Sequence, residues 1–263
     1  MEIGNSMTNP RIMFLPGFMC DERLFAPQIH ALSSDGFDCR VATYGNAASI
    51  ERMAKTVLDQ ASCRTALVGL SMGAIVALEA YRQAPGRITH LALLNTTARA
   101  DAAGTVRNAQ LKRVVAGGLK AVLRDELKPQ YLSVCNRTPD RMTLLEAMGL
   151  DLGNEAFVRQ TMALTIRNAA FDLLPQIHCP TLVLAGKDDG VCPLDRHTEM
   201  TDAIPGAVLI IVNDCGHIST LEQPEHVTDA LRQLLKRPSV RLTRNGKAQL
   251  ELVKSTARFE CKN

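Results

Sequence analysis

The sequence predicts an α/β domain built on a mostly parallel sheet flanked by helices, with a helical insertion between two of its strands. Three observations carry this. Short apolar runs alternate with amphipathic stretches, the pattern of repeated βα units. The alternation lapses between about residues 100 and 170, where only helical periodicity remains. The length of 263 residues suits one α/β domain, and neither an internal repeat nor a low-complexity block interrupts the pattern.

Taken in order, residues 12 to 15 read as a buried strand ended by Pro16-Gly17, and 22 to 33 as a helix with Leu24, Ile29 and Leu32 inward. Residues 41 to 44 read as the next strand, followed by a helix over 48 to 61 carrying Ile50, Met53, Val57 and Leu58. Residues 65 to 69 form a short predicted strand bounded by glycine, and 71 to 82 continue it as an alanine-rich helix. A strand over 88 to 94 precedes the insertion, whose helical patterns are strongest at 107 to 125 and 154 to 168. Strands resume at 181 to 185 and 207 to 212, with a last helix over 222 to 236.

Composition narrows the function classes. No stretch approaches the roughly 18 to 20 apolar residues that span a bilayer. Residues 1 to 10 are polar and show no secretory signal, so a cytoplasmic location is expected. Eight cysteines (Cys20, Cys39, Cys63, Cys135, Cys179, Cys192, Cys215, Cys261) lie scattered without a CxxC pair, which suits reduced thiols rather than a disulfide frame or zinc site. The net charge of +3 sits in the tail, where seven basic groups after residue 236 face only Glu251 and Glu260; the body is slightly acidic. With seven Phe, three Tyr and no Trp, that body offers no basic stacking platform for nucleic acid. The segment 237–263 alternates polarity weakly, is expected to be disordered, and is given no role in catalysis.

Gly69-Leu70-Ser71-Met72-Gly73 matches G-x-S-x-G, in which a strand turns abruptly into a helix and presents a serine at the tip. Glycine is needed two residues before and after the serine because the two backbones nearly touch there. The motif falls between a predicted strand and a predicted helix, the context it requires. An aliphatic hydroxyl needs a base to attack a carbonyl. Of six histidines, His30, His90, His178, His197 and His226 lie in predicted helices or at strand entrances, whereas His217 lies in the loop after the last strand. Loops at the carboxyl ends of parallel strands are where such sheets build sites, so His217 is the expected base. Only neutral imidazole accepts the proton, so the rate is expected to rise with pH as His217 loses its own.

A carboxylate at another strand end should fix the imidazole, and Gly186-Lys187-Asp188-Asp189-Gly190 follows the strand 181 to 185. Spacing does not choose between Asp188 and Asp189. Chain order Ser71, Asp189, His217 fits the order expected of a nucleophile-elbow enzyme. The oxyanion formed on attack would take the backbone N–H of Met72 and that of Phe18 in the turn Pro16-Gly17-Phe18-Met19.

On these residues the chain resembles the α/β-hydrolase superfamily from 11 to about 236. The resemblance rests on Leu15-Pro16-Gly17-Phe18, Gly69-Leu70-Ser71-Met72-Gly73, Gly186-Lys187-Asp188-Asp189-Gly190-Val191-Cys192-Pro193, and Gly216-His217 with Glu222-Gln223-Pro224 following. It is similar to small capped members such as the 3-oxoadipate enol-lactonases and pimeloyl-carrier-protein methyl ester esterases. The resemblance selects Asp189 as the acid, since the family's acid lies three residues after the glycine and four before the proline. Two features depart from the pattern. Leu-Pro-Gly stands where many relatives carry His-Gly, so a histidine contribution to the oxyanion site is not carried over. The antiparallel strand pair that opens many relatives has no predicted counterpart, so the α/β-hydrolase fold is expected here with about six strands.

The chain then divides into a first core segment (11–99), a helical cap (100–170), a second core segment (171–236) and the basic tail. The expected function is a serine hydrolase acting on a small-molecule carboxylic ester or lactone, with no metal or organic cofactor implied. Met19, Val191 and Ile218 are the expected apolar substrate contacts, by their nearness to the triad loops. Arg107, Arg113 and Arg124 in the cap are expected on solvated helix faces, with a substrate carboxylate as the alternative partner. The same triad serves a lyase, a C–C bond hydrolase or an amidase, and a non-catalytic ligand-binding protein of this fold is a third class.

Overall fold

A computed structural model describes residues 11–61, 64–100, 104–242 and 248–251. Six strands form one wholly parallel sheet in the order β2-β1-β3-β4-β5-β6: β1 (Arg11–Leu15), β2 (Cys39–Val41), β3 (Thr65–Leu70), β4 (Ile88–Leu94), β5 (Thr181–Gly186) and β6 (Val208–Val212). Side chains alternate across it. Met13, Leu15, Leu67, Leu91, Leu93 and Val183 enter one apolar cluster, while Ile12, Phe14, Val68, Leu70, Ala92, Leu94 and Leu184 enter the other. Both faces are buried, as a parallel sheet requires.

The first cluster is closed by α2 (Ile50–Gln60), α3 (Met72–Gln83) and α7 (Leu194–Ala203); the second by α1 (Ala26–Ser34) and α9 (Pro224–Lys236). Helix α2 begins where the Ser49 hydroxyl accepts from Arg52 N–H. A 3-10 turn at Glu22–Phe25 precedes α1, so the predicted helix over 22 to 33 begins as a tighter coil, capped by Asp21. Strand β2 lies two residues earlier than predicted. Beyond Val41 the Gln60 side chain takes both backbone groups of Thr43, accepting its N–H at 3.0 Å and donating to its C=O at 2.7 Å, so the chain leaves the ladder.

Between β4 and β5 stand α4 (Gly104–Val115), α5 (Leu119–Ala121) with a wider turn over Val122–Leu127, and α6 (Pro139–Thr165). The predicted helix over 107 to 125 is therefore two. Gly117, at φ 91°, ends the first: its N–H bonds Val114 O and that of Gly118 bonds Arg113 O, a left-handed cap. Helix α6 breaks at Gly153 (φ 78°); its second limb matches the helix expected at 154 to 168, while the first, from Pro139, has no counterpart among the predicted helices. A short helix α8 (Ser219–Glu222) precedes α9.

Of the segment after 236, which the sequence leads one to expect as disordered, the described residues include β7 (Ser239–Leu242) and β8 (Ala248–Glu251), which pair antiparallel. Among the described residues no helix is long and apolar enough to cross a membrane. Cys20, Cys39, Cys135, Cys179, Cys192 and Cys215 are free thiols; Cys63 and Cys261 lie outside the described residues.

Candidate active site

The carboxyl ends of β1, β3, β4, β5 and β6 meet at one edge of the sheet, and each delivers a component of the site. Ser71 follows β3 with φ 56° and ψ −117°, a left-handed backbone that L-residues adopt only under constraint. The constraint is the glycine pair. A Cβ on Gly73 would overlap the Leu15 carbonyl, and one on Gly69 would lie 2.5 Å from Ala74 N and Cα. Strand β1, the elbow and α3 can approach this closely only with glycine at both positions.

His217 follows β6 and is 1% exposed. Its Nε2 lies 2.8 Å from Ser71 Oγ, and its Nδ1 lies 2.8 Å from Asp189 Oδ2. A carboxylate only accepts, so Nδ1–H donates to Asp189, leaving Nε2 as the acceptor for the serine hydroxyl. The two candidate aspartates separate clearly. Asp188 is exposed, whereas Asp189 is 6% exposed and faces the imidazole. Asp189 Oδ1 accepts from Val191 N–H at 2.8 Å and Cys192 N–H at 2.9 Å; Oδ2 also accepts from Asn95 Nδ2 at 3.0 Å. Burial alone would raise its pKa, but His217 and these donors outweigh that and hold the carboxyl below its ordinary value.

Several residues supporting this row were not found by sequence reasoning. Asn95, at φ 48° on the end of β4, donates from Nδ2 to both Asp189 and Gly216 O (3.0 Å), tying the acid loop to the histidine loop. Its position at a strand's carboxyl end was the available signal. Glu222, 3% exposed, accepts from Gly216 N–H (3.0 Å) and Ile218 N–H (3.2 Å), the residues either side of His217, and from Ser133 N–H (2.9 Å) of the insertion. Tyr131 O accepts from His217 N–H at 2.9 Å, so the histidine loop is fastened to residues 131 to 133 as well. His197, one of the histidines read as structural, is buried: its Nδ1–H donates to Pro193 O (3.2 Å) and its Nε2 accepts from Thr96 N–H (3.1 Å). Thr96 in turn donates its hydroxyl to Ser71 O at 2.9 Å.

The two predicted oxyanion donors border the serine. Met72 opens α3, where the first N–H groups have no helical acceptor. Phe18 lies in a turn closed by Cys20 N–H to Gly17 O at 3.1 Å. In a trans peptide C=O and N–H point oppositely, so this bond turns the Phe18 N–H away from the turn's interior. The loop sits tightly on the elbow: a Cβ on Gly17 would lie 3.2 Å from Leu70 O and 3.5 Å from Ser71 Cβ. Among the described residues, neither Phe18 N–H nor Met72 N–H donates to another group of the chain.

Of the three apolar contacts expected, Met19 and Ile218 are buried and pack in different core clusters, while Val191 is 39% exposed. Arg113 pairs with Glu126 and Arg124 with Asp125 (2.8 Å), which gives them surface roles. Arg107 instead stands over the Phe18 ring, its guanidinium carbon 5.6 Å from the centroid. Among the described residues no group of three or more His, Cys, Asp and Glu is gathered as for a metal ion.

A parallel sheet with a serine elbow and a histidine–aspartate pair at its carboxyl edge defines an enzyme of the α/β-hydrolase class. The Alpha/beta hydrolase family model matches residues 12–230, and the chain belongs to that family. It is similar to the pimeloyl acyl-carrier-protein methyl ester esterase of Photobacterium profundum, 27% identical over 208 residues that cover 73% of this chain and 78% of the relative. Among solved structures it resembles a thermophilic esterase from Thermogutta terrifontis with malate bound, at TM-score 0.78 and 28% identity, covering 87% of this chain and 90% of that one. The enol-lactonase from Burkholderia xenovorans LB400 shares the fold at TM-score 0.77 and 24% identity, over 86% and 91% of the two chains. The chain is thus a hydrolase, and its family implies a small-molecule substrate.

Proposed function

We propose that this hydrolase cleaves a small carboxylic ester or lactone through an acyl-enzyme intermediate, with Ser71 as nucleophile, His217 as general base and acid, and Asp189 as the group that orients it. The observation that carries the reading is the unbroken row Ser71 Oγ, His217 Nε2, His217 Nδ1, Asp189 Oδ2, with 2.8 Å at each hydrogen bond between residues. Ser71 Oγ attacks the carbonyl carbon while its proton passes to Nε2. The carbonyl oxygen becomes an oxyanion held by the Phe18 and Met72 amides, and the buried Asp189 stabilises the imidazolium. Collapse of the tetrahedral adduct breaks the bond to the leaving oxygen, which takes the Nε2 proton. Water then attacks the acyl carbon with His217 again as base, and a second collapse returns Ser71 and releases the carboxylic acid.

In this reading the described residues of the insertion, 104–170, serve as a cap over this edge, and Met19, Val191 and Ile218 are the proposed apolar contacts of the acyl or alcohol group. The methyl ester esterase and the thermophilic esterase that the chain is similar to support the ester reading. Hydrolysis of p-nitrophenyl butyrate by wild type and Ser71→Ala tests the reading: a loss of about 10⁴-fold or more in kcat is expected. Equal turnover by the two proteins would remove it.

A further inference from the structure

The turn that presents Phe18 is gripped from the insertion by two buried polar side chains. Lys128 is completely buried, and among the described residues no carboxylate lies within ion-pair distance of its ammonium, although the charge of Asp21 acts on it from further off: Nζ donates to Met19 O at 2.8 Å, lies 3.8 Å from Cys20 Sγ and stands 4.9 Å from the centre of the Tyr131 ring. Gln160 on α6, 6% exposed, accepts from Met19 N–H at 2.8 Å through Oε1. Both backbone groups of Met19 are thereby held by side chains more than a hundred residues away. Met19 needs holding. It occupies the third position of the Gly17–Cys20 turn at φ 52°, a left-handed conformation that a side-chain-bearing residue adopts at a cost. Burying an ammonium is also costly, and burial pushes the Lys128 pKa down. A buried lysine whose only backbone acceptor among the described residues is the Met19 carbonyl is hard to account for as core filling, which an apolar side chain of similar length would do without desolvation.

We propose that Lys128 and Gln160 are positioning residues for the hydrolytic reaction: by clamping Met19 they fix the peptide that carries the Phe18 N–H, and so couple the insertion to oxyanion stabilisation. The inference rests on the reading of Phe18 as an oxyanion donor. The chain of effect is short. Release of Met19 lets the turn relax toward right-handed backbone by rotation of the Phe18–Met19 peptide, which loosens the Cys20 N–H to Gly17 O bond that orients the Gly17–Phe18 peptide, and the Phe18 N–H leaves the place where charge develops. Loss of alignment at such a donor acts on the transition state and leaves ground-state binding largely alone.

The test uses full-length Lys128→Met, Gln160→Leu and Gln160→Glu, the last of which keeps an acceptor for Met19 N–H. Kinetics with p-nitrophenyl butyrate are normalised to active sites counted by a fluorophosphonate, so that poorly folded protein does not count. For Lys128→Met and Gln160→Leu, kcat per site should fall about 10- to 100-fold with KM within about threefold. Affinity for a trifluoromethyl ketone, whose serine adduct places an oxyanion in the same spot, should weaken by a similar factor. Gln160→Glu should retain most of kcat. If Lys128→Met does not fold, the Gln160 pair carries the comparison alone. Wild-type kcat per site in Gln160→Leu, or losses confined to KM or to melting temperature, would overturn the proposal. Ser71→Ala run alongside separates the two levels: its inactivity beside fully active clamp variants sinks the clamp alone, whereas its activity sinks the reading of Ser71 as nucleophile.

Discussion

The elbow and the insertion hold their components of the site by different means. At the elbow, backbone packs on backbone: Gly69 and Gly73 admit Ala74 and the Leu15 carbonyl, and Ser71 is left with a single conformation. The insertion is joined to the core through long side chains: its Lys128 and Gln160 reach Met19, and Glu222 of the core accepts from Ser133 of the insertion and from the histidine loop. Backbone contact leaves a residue-type signature at fixed spacing. Side-chain reach leaves none, because lysine, glutamine and glutamate are ordinary on any helix. In the proposed mechanism the core loops carry the chemistry and the insertion adjusts it.

The largest expected effect breaks the comparison within one loop. Asp189→Asn should lower kcat about 10⁴-fold with p-nitrophenyl butyrate, because the imidazole loses its tautomer and its counter-charge. Asp188→Asn, at an exposed neighbour, should change kcat by about twofold or less. Comparable losses in the two variants would contradict the placement of the acid.

Glu222→Gln sharpens the boundary between core and insertion. One acceptor oxygen would then serve three N–H donors, so urea denaturation should show a loss of about 2 kcal/mol. Steady-state kinetics should show a fall in kcat of roughly tenfold as His217 loosens. A stability loss without any change in kcat would mean that Glu222 braces only the fold.

Much of this contrast is legible in the sequence of one chain. The strands can be read because buried parallel strands are continuous apolar runs, and the triad because glycine, proline and histidine mark the loops at strand ends. Without the family resemblance, which selects Asp189, the two aspartates 188 and 189 are not separable by spacing; burial of one and exposure of the other distinguishes them. Asn95 stands at a strand's carboxyl end and Glu222 in the Glu222-Gln223-Pro224 run of the resemblance, but their bonding to backbone groups brought together by folding is not readable from local pattern. The boundary of β2 is misplaced for the same reason, since Gln60 competes for Thr43 from the next helix. In the insertion, the break at Gly117 is readable as a helix cap, and the first limb of α6 is masked by its mixed periodicity.

Arg107 offers a smaller test on the insertion side, since it alone of the three arginines considered there stands over Phe18. Arg107→Ala should raise KM about tenfold for an ester bearing a distal carboxylate and leave KM for the matching neutral ester within about twofold. Equal effects on both esters would assign Arg107 to packing.

The smallest effect concerns stability rather than rate. Burial lowers the pKa of His90 and His197, so the folded chain resists protons that the unfolded chain accepts near pH 6.5. Their contribution is complete above about pH 6.5 and is lost as pH falls toward the folded values, by at most about 1.4 kcal/mol per pH unit for each histidine. Urea midpoints measured from pH 8 to 5 should decline, and His197→Gln should flatten some of that decline. An unchanged slope in the variant would mean that His197 is not a buried neutral group.

The most direct measurement is mass spectrometry of wild-type protein quenched in acid during turnover of a slowly released p-nitrophenyl ester. An acyl group is expected on the peptide that contains Ser71, enriched when deacylation is slowed and absent from Ser71→Ala. Sustained turnover with no acyl adduct, or an adduct carried by another side chain, would contradict the serine mechanism.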